Sequence, residues 1–342
     1  LIWALLITSL ATSTIITMSS NHWLLAWLGL ELNTLSILPI IMKPHHPRST
    51  EATTKYFLIQ ATAATLILFA STTNVWQTGQ WTITHTTPTA TTIITIAIML
   101  KLGLAPAHLW YLNVLQSSTM YTALIISTWQ KIAPLTLLYL IHNHLNHTVI
   151  LCLGLMSALI GGWGGLNQTQ TRKIMAFSSI AHMGWLITAL TLNPDITALT
   201  LLIYLAMTTT MFLVLAHMTT KTITDMGTMW PLSPTTLFTS MVTLMSLGGL
   251  PPLTGFMPKW LILKELTAIN LSPLSMLLLM TSLPSLFFYI RVAYFTIITT
   301  PPSTVNTEYK WRFKTNLSPP LTTLFITSAL LLPMTTTLYT IT

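Results

Sequence analysis

The sequence predicts an all-α, polytopic membrane protein of about eleven transmembrane helices, two of them discontinuous, and three observations carry that prediction. Of its 342 residues 52% are apolar, the mean hydropathy is +0.69 and only 6% are charged, against roughly a quarter in a soluble domain. Apolar stretches of the ~20 residues needed to cross ~30 Å of hydrocarbon recur along the whole chain. Basic residues gather in alternate connections, as the positive-inside rule requires.

The spans are predicted in order at about 1–20, 22–42, 54–75, 90–110, 119–141, 148–166, 174–192, 196–217, 236–263, 273–297 and 318–341. Together they form a single transmembrane domain over 1–342. The first has no basic leading region and no cleavable signal is expected. With this count, one side of the membrane collects Lys43, Arg48, Lys55, Arg172, Lys173, Lys221, Lys310, Arg312 and Lys314, with Arg291 at a helix end. The other side has Lys264, which Glu265 offsets. An error of one span in mid-chain would scramble this asymmetry, which also puts the N-terminus on the basic side. Threonine is abundant throughout, and inside a helix its hydroxyl can bond back to a carbonyl one turn earlier, so it does not count against a span.

Composition and motif content exclude several functions. A net charge of +8 would fit nucleic acid only if the cations shared a soluble face, and here they lie in short loops. Cys152 is the single cysteine, leaving no disulfide framework or thiolate metal site. "HNHLNH" (142–147) places three histidines in a loop without an acid or cysteine, which does not make a metal site. No phosphate-binding glycine loop, dinucleotide fingerprint or iron–sulfur cysteine cluster is found. No cofactor or metal is therefore expected on this chain.

Four ionisable groups remain inside spans: Glu31, Lys101, Lys131 and Lys259. Such a group costs at least ~2.5–3.5 kcal/mol at mid-membrane and faces a bundle interior or water. One acid and one amine could form a static pair, but three amines cannot all pair with one carboxylate. Desolvation favours the neutral amine and a neighbouring carboxylate the ammonium, so a lysine between the two influences can take up and release protons. Each lysine lies near a proline: Pro106 in "KLGLAPAHLW", Pro134 in "WQKIAPL" and Pro258 in "SLGGLPPLTGFMPKW". A proline within a helix frees the carbonyl four residues back, here those of Leu102, Gln130 and Thr254. Broken helices near the midplane are how secondary transporters build ion sites, often in two inverted halves, and the first and third motifs form such a pair. Pro134 is equally consistent with a simple bend. His108 and His182 are candidate proton relays and, equally, candidates for hydrogen-bonded structural histidines.

These motifs, with "NHWLLAWLGLELNTLSILPI", "EATTKYFLIQA" and "GGWGGLNQTQTRKIMAFSSIAHMGW", resemble the antiporter-like membrane subunits of mitochondrial NADH:ubiquinone oxidoreductase, respiratory complex I. The resemblance covers most of the chain and is strongest over 161–185 and 246–260. It implies an antiporter-like bundle with inverted repeats, in a core membrane-arm subunit that translocates protons across the mitochondrial inner membrane. The energy would come from NADH oxidation and ubiquinone reduction in other subunits, which would hold NADH, FMN, iron–sulfur clusters and ubiquinone. Glu31 matches the acid of the family's Glu–Lys pair, Lys101 the amine of the first discontinuous helix, Lys131 the central lysine and Lys259 the lysine of the second discontinuous helix. The implied partners are other membrane-arm subunits, including neighbouring antiporter-like ones, and membrane lipid. The basic side would face the matrix.

The sequence departs from the family at two points. Bacterial members carry three further N-terminal helices, so other subunits are expected to cover one flank here. Leu112-Asn113 stands where the family commonly has proline and an acid. Two other functions are weighed against this one: an independent cation/proton antiporter, and a structural spacer with static charge pairs.

Overall fold

A computed structural model describes residues 2–228, 233–298 and 319–334. Its described residues are helical apart from short connections, and they form two compact units, 1–156 and 157–342, whose boundary falls within one helix. Lys310, Arg312 and Lys314 lie outside the described residues, and the last expected span is described only as far as Met334.

The first unit holds α1 (Ile2–Ser19), α2 (Trp23–Met42), α3 (Pro47–Thr78), α4 (Pro88–Leu102), α5 (Leu109–Ser117), α6 (Met120–Ser127), α7 (Trp129–Leu140) and the first half of α8 (His147–Gly165). The second holds the rest of α8, then α9 (Thr171–Leu190), α10 (Pro194–Met218), the short α11 (Ile223–Thr228), α12 (Pro234–Gly248), α13 (Phe256–Ala268), α14 (Ser272–Ile298) and α15 (Pro319–Leu330). Among the described residues eight stretches are each long and apolar enough to span a membrane, α6 and α7 together counting as one. The expected discontinuous spans, 90–110 and 236–263, are built from two shorter helices each, α4/α5 and α12/α13.

Local chemistry sets these boundaries. Pro47, Pro88, Pro194 and Pro234 open their helices, where the missing N–H is no loss and φ is already helical. Threonine hydroxyls turn back onto their own helices throughout, as in Thr14 to the Ala11 carbonyl (2.7 Å) and Thr281 to that of Leu278 (2.7 Å). In the second unit α9 lies at the centre, buried along nearly its whole length against α10, α13 and α14. The glycines of "GGWGG" let α8 approach closely: Gly161 and Gly164 face Ala181 and Phe177 of α9, while Gly162 and Gly165 face α14. Small residues serve this purpose in membrane helix packing.

Contacts between loops test the span count within each unit. The connections after α1 and α3 pair through the bridge His22–Thr82, and His144, in the connection after α7, hydrogen-bonds to the Thr84 carbonyl. These three connections therefore share one end. At the other end, Lys43 after α2 lies 4.1 Å from the centroid of the Trp3 ring at the start of α1. In the second unit Gln170 bridges Thr222, and the Arg291 guanidinium donates to the carbonyls of Leu166 and Gln168 just past α8. Arg172, Lys173, Lys221 and Arg291 thus gather at one end. Arg291 lies about two turns inside α14 rather than at its terminus, and there it offers a cation to the negative end of α8.

The loop after α10 is closed by a reciprocal cap on α11. The Asp225 amide donates to Thr222 Oγ1 (3.3 Å), while the Asp225 carboxylate accepts from the amides of Thr222 (2.8 Å) and Lys221 (3.0 Å). These donors, the Thr222 amide foremost, hold the Asp225 carboxyl below its ordinary value of 3.8. A lowered folded-state value gives stability that is complete above the ordinary value and lost as pH falls through the lowered one. Amide-exchange protection of residues 221–225, corrected for intrinsic rates, is therefore expected to be flat from pH 8 to pH 5. Asp225→Ala should lower it about fivefold throughout, corresponding to a cap of about 1 kcal/mol. Protection that fades between pH 6 and pH 5 in the parent protein would contradict this.

Candidate proton-transfer sites

Both helix breaks use the same device. α4 ends on Gly103 (φ 70) and α12 on Gly249 (φ 82). In the first, the amide of Gly103 bonds to the Leu100 carbonyl and that of Leu104 to Met99. In the second, Gly249 bonds to Ser246 and Leu250 to Met245. This is the Schellman termination, which needs a left-handed residue and so favours glycine. The expected role of two prolines is thereby corrected: Pro106 lies outside the helices and Pro258 in the first turn of α13, where its missing N–H costs no helical bond. The carbonyls of Leu102 and Thr254 are not freed by them. Only Pro134 sits within a helix as expected, inside α7.

A Schellman turn still leaves the last carbonyls of its helix open, and at membrane depth these need donors. Around the first break the donor is Gln60 of α3, whose Nε2 bonds to the Lys101 carbonyl (3.3 Å). Around the second it is Lys259 itself, whose Nζ donates to the Gly248 carbonyl (2.9 Å). The return of the chain there is tight enough that a Cβ on Gly255 would collide with the Ser246 carbonyl oxygen.

In the first unit Lys101 and Lys131 are buried, at 6% and 3% exposure, and both line one cavity of about 20 Å³. That is room for about one water molecule. The lining is polar: Gln130 Nε2 donates to Asn33 Oδ1 (2.8 Å), and Tyr56 OH reaches Gln130 Oε1 at a long 3.4 Å. Lys101 Nζ has no hydrogen-bond partner among the described residues. Lys131 Nζ lies 4.9 Å from the centroid of the Tyr111 ring, a cation–π distance. Glu31 is half-buried on α2 and accepts from Thr34 Oγ1 (3.0 Å), close enough for its charge to act on Lys101 and Tyr56. His108 does not join them. It is part-exposed ahead of α5, its Nδ1 3.2 Å from the Pro106 carbonyl.

In the second unit Lys259 lines another cavity of about 20 Å³ together with His182, Trp185 and Tyr204. The His182 ring lies 6.0 Å from that of Tyr204, and its Nε2 is 3.5 Å from Tyr289 OH. Lys259 Nζ lies 6.0 Å from the centroid of the Trp185 ring. The structure thus gives Lys259 and His182 a common cavity, and Lys101 and Lys131 another.

Sequence reasoning that followed charge alone passed over Asn33, Tyr56, Gln60 and Gln130, which connect the first site. The signal was available, since a side-chain amide inside an apolar span raises the same question as a charge. Among the described residues no group of three or more histidine, cysteine, aspartate or glutamate side chains could hold a metal ion.

With this geometry in view, comparison with known proteins is informative. The family described as NADH:quinone oxidoreductase/Mrp antiporter, transmembrane, matches residues 20–285, running through both units, and NADH dehydrogenase subunit 2 C-terminus matches 286–339. The chain is similar to NADH-ubiquinone oxidoreductase chain 2 of Gallus gallus, 52% identical over 95% of this chain and 94% of that one. It is 48% identical to the protein of the same name in Squalus acanthias, over 99% and 98% of the two chains. Among solved structures, it resembles a chain of respiratory complex I from Thermus thermophilus with bound aureothin: TM-score 0.83, 25% identity, 95% of this chain and 75% of that one. A chain of the Mrp complex from Dietzia sp. shares the fold at TM-score 0.82 but only 15% identity, over 98% of this chain and 75% of that one.

The break geometry makes its own prediction. Gly255→Ala, which forces a Cβ against the Ser246 carbonyl, should destabilise the second unit by about 1–3 kcal/mol, read as a lower thermal midpoint of the assembled protein in detergent. An unchanged midpoint would show that the chain does not approach itself so closely there.

Proposed function

The chain belongs to the NADH:quinone oxidoreductase/Mrp antiporter family of membrane proteins, and from that premise we propose that its buried lysines carry protons through the membrane. It is a multi-pass membrane-arm subunit of mitochondrial respiratory complex I, a proton-translocating NADH:ubiquinone oxidoreductase, and its partners are other subunits of that arm. In the proposal, redox energy arrives from subunits that hold NADH, FMN, iron–sulfur clusters and ubiquinone. The N-terminus and the basic loops face the matrix.

The observation that carries the proton-transfer reading is the shared cavity of Lys101 and Lys131, two amines on different helices with polar side chains and room for water between them. Proton transfer needs hydrogen-bond reach directly or through one water, and a site for one water lies beside both lysines. Glu31 sets the charge of Lys101: an ionised carboxylate draws a proton onto the amine, and a neutral one lets it go. Gln60, Gln130, Asn33 and Tyr56 orient the water and the amines. Lys131 passes protons across the middle of the membrane, and Lys259 releases them, with His182 as its relay. His108, away from both cavities, is left without a relay role in this scheme. Lys259 has a second function, since its bond to the Gly248 carbonyl makes its position depend on the state of the break. The independent exchanger gains nothing from the Mrp likeness, because 15% identity carries the fold alone.

Lys259→Ala, made at the matching position of a tractable complex, is expected to lower proton-coupled turnover about a hundredfold, the scale of a lost proton-transfer group. The readout is proton uptake per NADH oxidised in sealed vesicles. Unchanged stoichiometry and turnover would remove Lys259 from the path. The chain alone in liposomes should conduct no ions, and sodium- or potassium-coupled proton flux from it would favour the exchanger.

A further inference from the structure

A second polar cavity lies well away from the lysine sites. It encloses about 280 Å³ at the basic end of the first unit, between the start of α3 and the end of α5, and is lined by Arg48, Glu51, Lys55, Asn113, Gln116 and Ser117. The Glu51 carboxylate is already held by Lys55 Nζ at 2.5 Å. Arg48 and Lys55 thus share one carboxylate, which leaves one net positive charge at the cleft, and the side-chain amides of Asn113 and Gln116 make no hydrogen bond among the described residues. Unused donors and one net positive charge around a cleft of this size match a phosphate group.

The surface beyond the cleft narrows the choice of phosphate. α3 and α5 leave it towards the membrane interior, and both change character within about two turns, or ~10 Å. On α3, Leu58 is 62% exposed and lies on the same face as Glu51 and Lys55. On α5, Leu109 is 66% exposed and lies on the same face as Asn113 and Gln116. The groove is cationic and amide-lined at the membrane surface and apolar towards the hydrocarbon, the same order as the head and tail of a phospholipid. We infer that the α3–α5 groove binds an anionic phospholipid, its phosphate at Arg48, Asn113 and Gln116 and an acyl chain along Leu58 and Leu109.

The test uses the assembled complex in phosphatidylcholine vesicles containing a phosphatidylglycerol with a photoactivatable diazirine in its acyl chain, labelled peptides being mapped by mass spectrometry. Labelling is expected to concentrate on residues 54–62 and 109–113. Excess unlabelled phosphatidylglycerol should displace it, and millimolar inorganic phosphate should not. Arg48→Gln should weaken labelling roughly fivefold, the effect of one surface cation on an anionic lipid, while NADH:ubiquinone turnover is kept. Displacement by inorganic phosphate would assign the cleft to a soluble anion and overturn the lipid. Labelling spread evenly over the exposed faces of α1 and α14, or a peptide of a neighbouring subunit cross-linked to Lys55 in place of the lipid, would overturn the site. Should the variant fail to assemble, the competition in the parent complex decides alone.

Discussion

Carbonyls released at membrane depth must find donors, and the structure around both candidate proton-transfer sites follows from that requirement. Water cannot supply the donors in hydrocarbon, so a broken helix survives only where the fold brings polar side chains to it. At the first break the donor comes from another helix, through Gln60. At the second it is the ammonium of Lys259, which returns from the far side of the same break to the Gly248 carbonyl. The helix-breakers and the buried charge of "SLGGLPPLTGFMPKW" are thus two parts of one arrangement. Each would be costly without the other.

This arrangement links stability to function. A lysine that served only to transfer protons could be replaced without leaving a backbone group open, whereas replacing one that also satisfies a carbonyl removes that carbonyl's donor as well. In the proposed scheme Lys259 has both duties and Lys101 does not: among the described residues Lys101 Nζ has no hydrogen-bond partner, while its backbone carbonyl is served by Gln60. The two sites therefore differ in how movement would reach the amine. At Lys259 any change in the break alters the hydrogen bond of its amine directly. At Lys101 the levers are Glu31 and the water-sized space shared with Lys131.

The gathering of basic loops at one end of the second unit rests on weaker, more numerous contacts. Loop bridges such as Gln170–Thr222, the Arg291 cap on α8 and the Thr222–Asp225 cap hold the basic end of the second unit together. None is large alone, since a cap is worth about 1 kcal/mol. They fix which loops of that unit share an end.

The sequence by itself determined the all-α membrane class and the four charged side chains set within apolar helices, three of them buried and Glu31 half-buried, because hydropathy and the cost of a charge in hydrocarbon are properties of residues and need no partner. It also located both breaks, since glycine and proline act on the local backbone. It misjudged what the prolines do: Pro106 and Pro258 lie outside or at the start of helices, and Gly103 and Gly249 end the helices instead. Only the tertiary structure could decide that Lys101 and Lys131 share a cavity, that His182 joins Lys259 while His108 stands apart, and that Asn33, Tyr56, Gln60 and Gln130 complete the first site. Those facts depend on which faces of separate helices meet. Within an apolar bundle the hydrophobic period hardly distinguishes one face from another, so packing decides what the sequence leaves open.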